Sequence, residues 1–534
     1  MRMNSQAVRA FRPEGGAETA VLAMRTPVLP SPMAEQRSPQ EPLATDFIAM
    51  MNAFRLSMSP PAAPAPHSRP SAGGGLEAGA EAAAAGAGGA AGASPATQAP
   101  IGGGTAFAAL RGAVCVVTGS QGMFGRRLCA ALLAAGAGEV RGFDRVAPAA
   151  AAGAASRSRS PSPAPARSPG RGSARRRSRR LSQRGLASPD SGAENSGRRR
   201  DFCGDITSSP ELRRAIRGAH CVFHAASYGM SGREMLDRAQ TRAVNVGGTE
   251  HVLRCCEEEG CRALVYTSSY NVAFGGQVVD QGTEKMGYYP LAEHVDEYSR
   301  TKAEAEQMVL RAADAASGVR TVALRAAAIY GEGEQRHFPR IIGLMRAGLY
   351  LFTIGPPENQ CDWVHVDNLV HAHMLAAAAL VAPAPDTSTI GRAFFISDAA
   401  PMNNFDFLSP VASEVVGIMA PPLRLPTGLA FAIAHLLELC YALATLLTAG
   451  LVAVPPPMMS RAEVLKVGVS HTFSTAAARQ ALGYEPVVGA EEGRRRLVAD
   501  LCERFPRRQL WWRSKGALAV AVLALLALLW AAVL

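Results

Sequence analysis

Five consecutive residues have the types and spacing for proton transfer: Tyr298-Ser299-Arg300-Thr301-Lys302. In a helix, positions i and i+4 share a face, so the Tyr298 phenol and the Lys302 ammonium stand one turn apart. A neighbouring positive charge favours phenolate and lowers a phenol from its usual pKa near ~10. The chain holds four lysines (Lys285, Lys302, Lys466 and Lys515) against 51 arginines. A lysine in so Arg-biased a sequence suggests that this point needs a compact ammonium, one that can also bond a nicotinamide ribose. Upstream, 29 residues from Ser269 to Tyr298, lies Tyr266-Thr267-Ser268-Ser269 at the end of an apolar run. The alternative is a surface tyrosine and lysine that share a helical face by chance.

A second group has the spacing to cradle a dinucleotide. Thr118-Gly119-Ser120-Gln121-Gly122-Met123-Phe124-Gly125 follows the apolar run Val114 to Val117 and precedes a helical pattern. In such a loop the first glycine makes the tight turn. The second lets backbone N–H groups approach a pyrophosphate at the helix N-terminus, and the third lets helix and strand pack closely. Asp144 comes 19 positions after Gly125 and ends the next run, where a carboxylate accepts from ribose hydroxyls and repels a 2′-phosphate. The expected cofactor is NAD, although Arg145 is placed to pair with a 2′-phosphate. Cys203-Gly204-Asp205-Ile206 and His224-Ala225-Ala226-Ser227 close two further runs. Asp205, Ile206, Ala225 and Ala226 are therefore expected to reach adenine and ribose, with simple packing the alternative for the two alanines.

Positioning these groups requires strands that end where the chemistry begins. Between residues 111 and 395 short β-branched runs (Val114 to Val117, Val140 to Phe143, Cys221 to His224, Leu264 to Tyr266, Thr321 to Leu324) alternate with helical patterns at Leu128 to Ala135, Thr249 to Glu258 and Ser299 to Leu310. A βαβ series of this kind predicts an α/β fold, a doubly wound parallel sheet with ligand at the carboxyl ends of its strands. Residues 396–508, rich in Leu, Ala, Met and Pro, are expected to form a smaller C-terminal substrate domain. The Ala/Gly/Pro/Ser/Arg composition of residues 1–110 and of an insertion at 147–200 cannot bury enough apolar area to offset ordering, and both are expected to stay outside the fold.

The formal charge of +11 has a single origin. Residues 151–200 hold 13 Arg against Asp190 and Glu194, a net of +11, so the rest of the chain is neutral. That excludes a nucleic-acid-binding core. The Arg/Ser-rich insertion itself suits RNA, anionic lipid or a kinase as partner, or is a solvated loop. Ten scattered cysteines show no zinc spacing, so no metal is expected, and they read as reduced thiols on the cytosolic side. Gly516 to Leu534 is uncharged, and its 19 residues span about 28 Å at roughly 1.5 Å each, close to one hydrocarbon core. With Trp511, Trp512, Arg513 and Lys515 before it, this stretch is expected to be a single C-terminal transmembrane helix, the endoplasmic reticulum being one plausible site. A second apolar run, Gly428 to Val454, carries His435 and Glu438 and is expected to pack on the substrate domain or lie in the interface rather than span.

Taken together the motifs resemble the extended short-chain dehydrogenases/reductases, and within them the 3β-hydroxysteroid dehydrogenase-like branch. The resemblance rests on the glycine loop, the Tyr298/Lys302 pair, Asn245-Val246-Gly247-Gly248-Thr249, the run Leu324 to Gly331, and His365-Val366-Asp367-Asn368. It covers roughly residues 112 to 505 apart from the insertion. It implies an extended Rossmann fold and a role for each matching position. Tyr298 would take the hydroxyl proton, and Lys302 would lower its pKa and hold the cofactor ribose. Ser269 would bond the substrate oxygen, with Ser268 its rival, and Asn245 would be structural or a proton relay. Two departures, Ala326 and Gly331-Glu332-Gly333 where family members often carry proline, imply looser backbone contacts to nicotinamide. The expected substrate is a lipophilic secondary alcohol, a 3β-hydroxysteroid or sterol oxidised to the ketone. The rivals are an extended reductase or epimerase of a soluble substrate, and a non-catalytic NAD(H)-sensing scaffold.

Overall fold

The computed structural model describes residues 105–147, 197–313, 318–448, 454 and 456–507. Seven strands form one parallel sheet: β1 (Val114–Thr118), β2 (Glu139–Asp144), β3 (Arg198–Cys203), β4 (Cys221–His224), β5 (Ala263–Ser269), β6 (Arg320–Ala326) and β7 (Arg392–Ile396). Their order across the sheet is β7-β6-β5-β4-β1-β2-β3. The chain direction of winding reverses between β1 and β4, which opens a crevice at their carboxyl ends. Thr118 pairs with Phe143 on one side and His224 on the other, so the glycine loop, Asp144 and Ala225 emerge side by side.

Central strands read as continuous apolar runs because both faces are covered. Helices α1 (Met123–Ala134) and α5 (Val366–Val381) close one face through Leu128, Leu132, Leu369 and Met374. Helices α2 (Pro210–Ile216), α3 (Gly248–Glu258) and α4 (Glu297–Arg311) close the other through Leu212, Val252, Leu253 and Val309. The edge strand β3 is different. Its Arg198, Arg199 and Arg200 are exposed, and charge at an unpaired edge discourages further strand pairing.

Two boundaries move. The insertion expected at 147–200 ends earlier, since Arg198 to Arg200 pair with Glu139 to Arg141 in β3; an Arg-rich edge strand has the composition of a loop. Residues 105–110, expected outside the fold, form a 3₁₀ turn that buries Phe107 and Leu110 against α5. The remainder of both biased tracts, and the apolar stretch Gly516 to Leu534, lie outside the described residues.

The C-terminal part holds α6 (Thr427–Leu447), α7 (Arg461–Gly468) and α8 (Ala490–Arg504); it meets the edge of the sheet at β7 through Ala476–Leu482, and its short strand His471–Phe473 pairs with Val279–Gly282. Helix α8 crosses close to Tyr330, where a Cβ on Gly493 would sit 2.6 Å from the phenol oxygen. Helix α6 has one docked strip, Ala430 and Ala434, and its Glu438 pairs with Arg461 of α7 at 2.7 Å. Its leucines at 429, 436, 439, 443, 446 and 447 are exposed. The run therefore packs on the C-terminal part along a narrow edge only, and its length and mean hydropathy of 1.8 would allow it to cross a membrane.

Candidate active site

The glycine loop meets the requirements of a phosphate cradle one residue at a time. Gly119 has φ +72°, and a Cβ there would lie 3.1 Å from the Ala226 backbone. At Gly125 a Cβ would fall 2.2 Å from the Gly119 carbonyl oxygen, so helix α1 approaches the loop as closely as it does only with glycine. Gly122 is different: it is exposed, its φ is −69°, and a Cβ would meet nothing nearer than 3.4 Å. The protein itself does not demand glycine there. A ligand pressed against the loop would. Gly122 is also the N-cap of α1 and offers no side-chain cap, which leaves the first-turn N–H groups of Met123, Phe124 and Gly125 for an anion.

Asp144 ends β2 beside this loop. Its Oδ2 accepts from the Gln121 N–H at 2.9 Å and Oδ1 from the Val146 N–H at 3.0 Å, which fixes the carboxylate at the mouth of the crevice. Two other expected cofactor positions also bond within the protein. The Ala225 and Ala226 N–H groups both donate to Thr118 Oγ1 at 3.2 Å. The Asp205 Oδ1 accepts from the Thr207 N–H and hydroxyl at 2.9 and 2.8 Å, while Ile206 is buried against Gly248. Short polar residues after a strand end often bond their own turn first.

Thr118 also fixes a residue that sequence reasoning passed over. Because its Oγ1 accepts from two N–H groups, its own proton goes to His224 Nδ1 at 2.9 Å. Thr249 Oγ1 donates to the Asn245 carbonyl at 2.6 Å and therefore accepts from His224 Nε2 at 3.0 Å. His224 is thus a neutral imidazole joining β1, β4 and α3. Burial and the nearby Lys302 charge push its pKa down to about 3.

On the other side of the crevice β5 and α4 bring together Ser269, Tyr298 and Lys302. Asp296 caps α4 by accepting from the Ser299 N–H at 2.8 Å, and the helix carries Tyr298 in its first turn. Tyr298 is buried near Ser269, whose hydroxyl accepts from the Asn271 N–H at 3.3 Å. Burial pushes the Tyr298 pKa above the usual phenol range and Asp296 adds to this, while Arg336 and Ser269 oppose it. Lys302 is 2% exposed and donates to the Thr267 carbonyl at 2.6 Å and Tyr266 Oη at 3.1 Å. Burial brings its pKa down to about 7, against the pull of Glu306.

Ser268 takes a different part from its neighbour. Its hydroxyl donates to Glu306, on the far side of β5 from Ser269, as alternation along a strand requires. Glu306, fully buried on α4, also accepts from Tyr288 Oη at 2.9 Å and from Arg325 Nη2 at 2.7 Å. It was missed because a glutamate late in a helix with the sequence EYSRTKAEAEQ looks like a solvated face; its i+4 spacing from Lys302 was the available signal. Asn245 bridges the Tyr228 backbone and Thr301 at 2.9 to 3.0 Å, so its geometry is that of a clamp between α4 and the segment after β4. In the Gly331-Glu332-Gly333 turn, Glu332 pairs with Arg127 of α1 at 3.0 Å and with His365 at 3.2 Å, and Arg127 pairs with Asp367 at 2.7 Å.

The model of the 3-beta hydroxysteroid dehydrogenase/isomerase family matches residues 174–427. Short-chain dehydrogenase/reductase family 42E member 1 of Danio rerio is 47% identical over 287 residues, covering 53% of this chain and 72% of that protein. The Homo sapiens counterpart is 46% identical over 289 residues with the same coverage. The 3beta-hydroxysteroid-dehydrogenase/decarboxylase isoform 1 of Arabidopsis thaliana is 31% identical over 341 residues, covering 62% and 75%. The solved structure of gox2253 shares the fold at 19% identity, with a TM-score of 0.50 over 74% of this chain and 99% of that one. The family is NAD-dependent, and the capless helix start, the open Gly122 and the Asp144 carboxylate are the parts such a cofactor needs. With motifs, sheet order and relatives in agreement, this chain belongs to the extended short-chain dehydrogenases/reductases, in their 3β-hydroxysteroid dehydrogenase-like branch.

Proposed function

We propose that this member of an NAD-dependent oxidoreductase and epimerase family oxidises a lipophilic secondary alcohol, a 3β-hydroxysteroid or sterol, to the ketone while held at a membrane. The observation that carries the chemistry is the buried trio of Ser269, Tyr298 and Lys302 at the carboxyl end of β5, across the crevice from the glycine loop. Bound NAD would supply the hydride acceptor and a positively charged ring beside the phenol. Ser269 holds the substrate oxygen next to Tyr298, and Tyr298 accepts the hydroxyl proton at Oη. Lys302, anchored to the Thr267 carbonyl, keeps a positive charge below that phenolate and reaches the cofactor ribose. The burial that raises the Tyr298 pKa in the free chain also excludes water from the proton path, and the charges brought by cofactor and Lys302 must outweigh it.

Two things support the lipophilic substrate. The Arabidopsis relatives carry 3beta-hydroxysteroid in their names, and α6 offers exposed leucines that suit a lipid boundary. Together with Gly516 to Leu534 they argue for membrane tethering, with the sheet on the cytosolic side. The test is NADH formation by the purified chain in mild detergent with a panel of 3β-hydroxysteroids and soluble alcohols. Steroid-dependent NADH that falls by about a hundredfold or more in Tyr298→Phe, with NAD binding kept, is the expected result. Turnover of soluble alcohols alone would overturn the substrate class. Cofactor binding with no turnover of any alcohol would favour the sensing scaffold.

A further inference from the structure

Two of the four lysines in this chain bear on the first turns of α4, where Tyr298 stands. Lys302 stands one turn along α4, and Lys466 reaches in from α7, 170 residues beyond Asp296. Lys466 Nζ donates to Asp296 Oδ2 at 3.2 Å and lies 5.8 Å from the centre of the Tyr298 ring. Asp296 is two residues before Tyr298, and its carboxylate is the α4 cap, accepting from the Ser299 N–H and hydroxyl. The Lys466 and Asp296 side chains are 20% and 8% exposed, so their charges are screened less than surface charges.

Capping alone does not require a charge here, because Asn or Ser serves an N-cap as well as Asp does. A carboxylate at this position places a negative charge beside a phenol that must ionise. The ammonium from α7 cancels it. The other groups near Tyr298 are Ser269, Tyr266 and Tyr270 from β5 and the turn after it and Arg336 from the turn before His337–Arg346, while Lys302 on its own helix is bonded to Tyr266 Oη at 3.1 Å. His294 lies beside the Asp296–Lys466 pair, is buried, and has its pKa pushed down to about 4 chiefly by burial, so it adds no charge at neutral pH. Burial pushes the Asp296 carboxyl up, but Lys466 and the Ser299 hydrogen bonds outweigh it and hold it below its ordinary value, which keeps the pair ionised.

We propose that Lys466 is a positioning residue: by pairing with Asp296 it readies Tyr298 for ionisation only when α7 is docked against the start of α4. The inference rests on the reading of Tyr298 as the proton acceptor. It makes the C-terminal part of the chain a condition for chemistry in the nucleotide-binding part, through one ammonium.

The test follows Tyr298 itself in the purified chain saturated with NAD, as the ultraviolet phenolate absorbance lost on Tyr298→Phe in each background. Lys466→Met exposes the phenol to an uncompensated carboxylate and should move its midpoint up by about one pH unit; Asp296→Asn should move it down by a similar amount. The double variant should return close to the parent, and Lys466→Arg should stay there. Lys466→Gln, which keeps polarity without charge, must reproduce the upward shift should the methionine variant fail to fold. Shifts in the same direction for Lys466→Met and Asp296→Asn, or no shift in either, would overturn the proposal. A parent chain in which no transition belongs to Tyr298 would instead defeat the underlying reading of the tyrosine as a base.

Discussion

Helices α4 and α6 invert the usual relation between composition and exposure. Helix α4, EYSRTKAEAEQMVLR, is polar, yet Tyr298, Ser299, Thr301, Lys302 and Glu306 are all buried. Helix α6, TGLAFAIAHLLELCYALATLL, is apolar, yet only Ala430 and Ala434 are buried. Burying an ammonium and a carboxylate costs free energy unless each is bonded. In α4 each is: Lys302 to Thr267 and Tyr266, Glu306 to Ser268, Tyr288 and Arg325. Such arrangements concentrate where chemistry needs a shifted pKa. Exposed leucines over several turns are unfavourable in water and suit the lipid boundary proposed above. The departure in α4 lies at the candidate active site, and that in α6 at the proposed membrane contact.

The contrast can be broken most sharply at Glu306. Its replacement by Ala leaves the Arg325 guanidinium, itself 4% exposed, without its counter-ion, and should destabilise the chain by roughly 3–5 kcal/mol in denaturant unfolding. A loss below about 1 kcal/mol would mean that water or another residue satisfies Arg325 and that α4 does not depend on the buried pair.

Lys302 gives a smaller effect with a defined sign. Its pKa falls from 10.5 in an unfolded chain to about 7 in the fold. The cost of burying its charge is thus full below about pH 7 and disappears as pH rises towards 10.5. Lys302→Met should abolish turnover and yet raise the melting temperature, more at about pH 6 than at about pH 10. An increment that is equal at both pH values would show that Lys302 is solvated. The smallest effect on stability is expected on α6. Leu443→Glu with Leu446→Glu should change unfolding free energy by no more than about 0.5 kcal/mol each, because both leucines face outward. The same pair should lower co-sedimentation with phospholipid vesicles in a chain lacking Gly516 to Leu534. Unchanged sedimentation would remove α6 from the membrane contact.

Much of the dinucleotide half was legible because it is written in backbone requirements. Gly119 needs a positive φ, Gly125 needs the absence of a Cβ, and Asp144 sits where a strand of predictable length stops. For Ala225, Ala226 and Asp205 a strand end places the residue near the crevice but does not say which partner its N–H or carboxylate meets first. Thr118, four residues into β1, takes two of those N–H groups and hands its proton to His224, a choice set by strands 106 residues apart. Ser269 was preferred to Ser268 for the substrate oxygen, but only the pleat of β5 shows Ser268 turned to Glu306 and its neighbour pointing to the opposite face.

What the sequence determined by itself was local and periodic: the βαβ alternation, the glycine loop, the phenol and ammonium on one helical face, and the family to which these belong. Strand and helix periods and glycine geometry are properties of neighbouring residues, so they survive without a fold. The tertiary structure decided which polar groups are desolvated together. Glu306 under β5, Glu332 between Arg127 and His365, and Lys466 against Asp296 all join residues far apart in the chain, and the strength of a charge depends on the burial that only their meeting creates.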